Sequence, residues 1–110
     1  MAVMYDQEAD DRDKALAYAI IAQVGVDIRA PRVIRPLGSI TIDDAIRSEL
    51  WAGEWELAGI DALQCFLDGR GNVSPDLVEQ ALEQWPLLQH EMSNVADELR
   101  SWLAERLVAA

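Results

Sequence analysis

The chain has 110 residues, 51% of them hydrophobic and 26% charged, which is the composition of one globular domain spanning residues 1–110 and not of a disordered chain. Twenty acidic side chains against nine basic ones leave a net charge of −11. That charge opposes direct nucleic-acid binding and contact with anionic membranes, and it favours a positively charged protein as partner. The single cysteine, Cys65, excludes an internal disulfide and fits a reducing cytoplasm. The opening "MAVMYDQEADDRDK" is acidic where a secretory leader is basic. The longest apolar run, "ALAYAIIAQVGV", falls short of the roughly 20 residues that span a bilayer.

The first predicted helix runs from Asp6 to Val24, with Leu16, Ala19, Ile20 and Gln23/Val24 at helical spacing and Gly25 as its stop. Asp6, Glu8, Asp10, Asp11 and Asp13 crowd its front, where the helix dipole favours acids. Next comes "GVDIRAPRVIRPLGSI", whose two prolines and glycine predict an irregular or short extended segment around residues 26–40. Arg29, Arg32 and Arg35 make it the one locally basic region.

Thr41, with Asp44 three residues on, predicts a capped helix from Ile42 to Trp51 that ends at Gly53. From Glu54 to Leu67, one side carries Leu57, Ile60, Leu63 and Leu67, and the adjacent side carries Trp55, Ala58, Ala62 and Phe66. Such a helix is buried on more than one face, and Gly59 within it marks a close approach. Ser74-Pro75 predicts another helix start, with Trp85 as its end because Pro86 disfavours helical geometry at the residue before it. A last helix is expected from Pro86 to about Val108, with Leu88, Met92, Val95, Leu99 and Trp102 at 4-3-4-3 spacing. The fold expected is therefore all-α, a compact bundle of four to five helices.

Four features are candidates for chemistry. The stretch "FLDGRGNVSPDL" resembles an EF-hand calcium loop at its turn, with Gly71, Asn72, Val73 and Ser74 matching positions 6 to 9. In that register Phe66, Arg70 and Leu77 fall on ligand positions, so a helical hairpin turn explains the stretch better than a metal-dependent regulator does. Asp6, Asp10 and Asp13 share one helix face, and a solvated helix start explains them without a cation. His90 is the only histidine, and Cys65 lies amid apolar residues, so neither metal nor nucleophilic catalysis finds a motif. No cofactor is expected, and no enzyme activity.

The tryptophans point elsewhere. Trp51 and Trp55 are one helical turn apart within "ELWAGEWEL", and both do not fit the core face set by Ile42, Ile46 and Leu50. Aromatic side chains flanked by acids suit a protein-binding patch. The expected partner-binding residues are Asp10, Asp11, Asp13, Asp43, Asp44, Glu49, Trp51, Glu54, Trp55 and Glu56. The function expected is a non-enzymatic inhibitor or antagonist that docks on a basic protein surface of nucleic-acid-binding or toxin-like kind. Phage-encoded antagonists of bacterial defence and immunity proteins offer an analogy of size and charge. The alternative is an assembly adaptor that forms a homo-oligomer through the last helix.

Overall fold

Six helices form in a computed structural model of the chain, which describes residues 6–29 and 41–109, with backbone alone at 107–109. They are α1 (Gln7–Val24), α2 (Ile42–Trp51), α3 (Trp55–Leu67), α4 (Pro75–Gln84), α5 (Pro86–His90) and α6 (Ser93–Ala109). No strand occurs among the described residues, and the fold is all-α. Residues 26–29 are neither helix nor strand, and the rest of the irregular segment expected over 26–40 lies outside the described residues.

Local chemistry sets the helix ends. The Asp6 carboxylate accepts from the Ala9 N–H at 3.0 Å, and the Gly25 N–H closes α1 on the Ile21 carbonyl. At α2 the capping box is complete: the Asp44 N–H donates to the Thr41 hydroxyl, and the Thr41 N–H donates to the Asp44 carboxylate. Ser74 caps α4 through the Leu77 N–H, with Pro75 in the first turn.

The central element is α3. It packs against α1, α2, α5 and α6 and buries Ala58, Gly59, Ile60, Ala62, Leu63 and Cys65. α1 supplies Leu16, Ala17, Ile20, Ile21 and Val24 to the same core. Gln23, paired with Val24 in the sequence pattern, faces out and ties the hairpin turn instead, accepting from the Ser74 N–H at 2.6 Å.

The largest fully buried side chain is Trp85, between α4 and α5. Because Pro86 follows it, Trp85 takes an extended conformation (φ −105°, ψ 100°), so the chain turns a corner there. The indole lies against Gly59 of α3. A Cβ at that position would overlap Trp85 Cη2, so the close approach marked by Gly59 is between a helix backbone and an indole. The indole N–H donates to Asp13 of α1 at 3.2 Å.

Two details depart from the sequence pattern. The last helix is two helices: α5 stops at His90, and the Met92 carbonyl starts α6 by accepting from Val95 and Ala96. Ser93 and Asn94, which favour helix starts over interiors, mark the break. The apolar stripe continues across it, with Leu88 and Leu99 fully buried and Met92, Val95 and Trp102 partly so. Ile42, assigned by spacing to the core side of α2, is 46% exposed, because it stands in the first turn while Ile46 and Leu50 make the packing face.

Gly59→Ala should force the Trp85 ring to move within a closed core and destabilise the protein by about 1–3 kcal/mol. Urea unfolding measures this, and an unchanged midpoint would show that the ring has room to shift.

Candidate functional site

α1 and the start of α3 converge on a cleft of about 420 Å³, lined by Asp10, Asp13, Gly53, Glu54, Trp55, Glu56, Leu57 and Leu87. Each carboxylate is placed by its element. Asp10 and Asp13 are three apart on α1 and point at two tryptophans: Asp10 accepts from Trp55 Nε1 at 3.0 Å and Asp13 from Trp85 Nε1. Glu54 precedes α3, and Glu56 is in its first turn. Trp55 is half-buried between them, 6.4 Å from the Tyr18 ring and 5.2 Å from Lys14 Nζ, centroid to centroid and nitrogen to centroid.

Burial and mutual repulsion mark the cleft electrostatically. Burial pushes the Asp13 carboxyl above its ordinary value, and the Trp85 hydrogen bond and nearby Arg12 only partly offset this. Burial likewise raises Glu56, with repulsion from Asp13 added, and the Leu87 backbone N–H opposes both. Carboxyls that are costly to ionise in isolation are relieved by an incoming cation. Together with the Trp55 and Leu87 surfaces, the cleft suits a lysine or arginine side chain with its alkyl stem.

The other sequence-predicted site residues lie apart from this cleft. Asp43 is an internal strut: Arg70 grips it through both nitrogens, at 2.5 and 2.8 Å, and the Asp27 N–H adds a third hydrogen bond at 2.8 Å. Arg70 also donates to the Gly25 carbonyl, so one guanidinium joins the α3–α4 turn, the end of α1 and the start of α2. Asp44 completes the α2 cap and pairs with Arg47, a buried arginine that donates in turn to the Asp27 carbonyl. Asp11 is exposed and accepts from Gln7. The Glu49 carboxyl faces Asp61 of α3. Trp51 is 65% exposed at the end of α2, three residues before Glu54.

The resemblance to a calcium loop has a structural explanation. Arg70, the cation on a ligand position, is the Asp43 partner, and Gly71 is pressed against α1, where a Cβ would overlap the Val24 carbonyl oxygen. Phe66 stacks edge-on against Trp102 of α6 with centroids 5.0 Å apart, and Leu77 packs on the core. Asp6 caps α1 and is not among the residues lining the cleft. No group of three or more potential metal ligands occurs among the described residues. Cys65 is buried and its thiol is pushed up by burial, which makes it a poor nucleophile. No helix among the described residues is long and apolar enough to cross a membrane.

Sequence reasoning missed Leu87 as part of the cleft and Arg70 as its opposite, a structural cation. A signal for Arg70 was present, since a lone arginine inside "DGRGN" in so acidic a chain has many carboxylates to choose from. Leu87 carried none, because its place depends on the corner at Trp85-Pro86. No family model matches the chain, and no curated protein or solved structure matches it either.

The Arg70 hydrogen bonds hold Asp43 below its ordinary carboxylate range. A lowered folded value means the unfolded chain takes up the proton first on acidification, so this stabilisation is present above about pH 3.8 and is lost as pH falls through the folded value. Arg70→Met should therefore lower the urea midpoint at pH 7, and by less at pH 3. An equal loss at both would detach Arg70 from Asp43.

Proposed function

We propose that this protein is a non-enzymatic binding module that docks on a positively charged protein surface, acting there as an inhibitor or antagonist of a nucleic-acid-binding or toxin-like partner. The observation that carries this is the cleft of Asp10, Asp13, Glu54 and Glu56 around Trp55, with the exposed Trp51 just upstream in sequence. A basic side chain entering between the carboxylates would stack its stem on the half-buried indole, and the aromatic surface would supply the apolar contact that charge alone lacks. The net charge of −11 would steer the encounter. The acids of this site that bind are then the cleft acids, while Asp43 and Asp44 act through the fold.

The test uses the purified chain as bait, with the recovered partner identified by mass spectrometry and then purified for titration. The partner should be basic, and its affinity should fall at least about tenfold between about 0.05 and 0.5 M salt, as screening of exposed charges requires. Paired reversal of Glu54 and Glu56 to lysine should abolish the complex while circular dichroism shows the helices intact. An acidic partner, or full affinity in the doubly reversed variant, would overturn this function.

The raised Asp13 and Glu56 set a pH dependence. Both acids protonate at higher pH than ordinary carboxylates, so affinity should decline on acidification earlier than the ordinary values of 3.8 and 4.5 imply. Titrating the complex from pH 7 to pH 4 measures this, and Glu56→Gln should shift the decline to lower pH.

A further inference from the structure

We propose that the acidic cleft is one end of a longer docking surface along α1, and that the partner lays an extended segment on it. That segment carries a lysine or arginine for the cleft and, about four residues away, an apolar side chain for a second hollow. The inference rests on the binding role of the cleft and names the form of partner that fits it.

The second hollow is a groove of about 650 Å³ at the close of α1. Ile21 and Val26 of its lining are buried, Ile28 is half-buried, and Tyr18 and Ala22 are exposed. Its two charged residues, Asp27 and Arg29, lie together where the chain leaves α1, and the Asp27 carboxylate accepts from the Arg29 N–H at 3.0 Å. The rest of the lining carries no charge. Tyr18, 39% exposed, is one of the few large hydrophobic side chains that water reaches among the described residues. An exposed aromatic ring beside an apolar hollow is the surface that a docked side chain covers.

Side-chain contacts join this groove to the cleft. Asp10, Lys14, Tyr18 and Ala22 recur at four-residue spacing and so form one ridge of α1. The first three touch Trp55 of the cleft: Asp10 accepts from its indole N–H, Lys14 Nζ lies 5.2 Å from the ring centroid, and the Tyr18 ring lies at 6.4 Å. Ala22, the fourth, lines the groove. The ridge thus runs unbroken from one hollow to the other. The rise along α1 from Asp13 to Ile21 is about 12 Å, which an extended peptide covers in about four residues.

Charge gives the surface a direction. The cleft end offers Asp10, Asp13, Glu54 and Glu56, whereas the groove end holds one acid and one base. Lys14 stands between them and repels a cation placed mid-segment. A segment laid the other way would leave its apolar side chain among carboxylates and its cation in the apolar hollow, away from the four acids.

Two capped peptides test this on the full chain: Lys-Lys-Gly-Ser-Gly-Leu-Leu, and the same peptide with serine in place of both leucines. Nitrogen-15 NMR of the unaltered protein follows the Trp55 indole N–H for the cleft and the Ala22 and Val26 amides for the groove. The leucine peptide should move all these signals and bind at least about fivefold tighter, through the apolar surface it buries. The serine peptide should move the indole signal and leave the groove amides in place. Ala22→Gln, a helix-compatible change at an exposed position, should bring the two peptides to the same affinity. An indole signal that neither peptide moves would overturn the binding role of the cleft and this proposal with it. An indole signal moved equally by both, with Ala22 and Val26 still, would overturn the longer surface alone. Groove signals that shift with protein concentration before peptide is added, or contacts by NMR between the groove and the chain's own residues 30–40, would give the groove another occupant and overturn it too.

Discussion

The structure depends on one buried indole. Trp85 brings the largest wholly buried side chain into the core, and with it an N–H that cannot be left unpaired without a cost of about 1–3 kcal/mol. Its position follows from backbone chemistry, since Pro86 disfavours a helical Trp85 and the resulting corner directs the ring inward. Two further residues are fixed by that ring. Gly59 must lack a side chain where the ring lies, and Asp13 must bring an acceptor from α1. One side chain thereby sets the spacing of α1, α3 and the α4–α5 corner. The same contact draws Asp13 into partial burial, which raises its pKa, so a requirement of the core creates the electrostatic character of the cleft.

A chain with twenty acids and nine bases must place its few cations with care. Two of them, Arg47 and Arg70, are used inside the fold, where each fastens α2 to another segment. Arg70 holds the α3–α4 turn to α2 through Asp43 and to α1 through the Gly25 carbonyl. Arg47 ties α2 to the Asp27 carbonyl after α1. The forked guanidinium suits this task because it meets a carboxylate and a carbonyl at once, which an ammonium does less well. Asp43 and Asp44 look like surface charge in sequence, but with these arginines as partners they belong to the scaffold.

Much of the fold was legible because its signals are local. Thr41 with Asp44, Ser74 with Pro75, and Gly25 each act within one turn of chain, and each ends or starts a helix where the spacing places it. The many-sided burial of α3 was legible from its two apolar faces. The break at Met92 was not, since the 4-3 stripe reads the same through one helix or two. Of the candidate site, the acid-flanked Trp55 and the α1 acids stood out in sequence, but their meeting did not. Asp10 and Trp55 are 45 positions apart, and Asp13 and Trp85 are 72, so only tertiary packing joins them. Leu87 enters the cleft through the corner at Pro86, a consequence of tertiary geometry with no trace in spacing.

The acids that remain are sorted by what lies within hydrogen-bonding reach. Asp43, which meets the Arg70 guanidinium, becomes a strut and ionises more easily than usual. Asp13 and Glu56 are partly buried, and burial makes them harder to ionise even though each accepts a hydrogen bond, from the Trp85 indole and from the Leu87 N–H. Burial and the neighbouring acids Asp61 and Glu54 push Glu49 up to about 8.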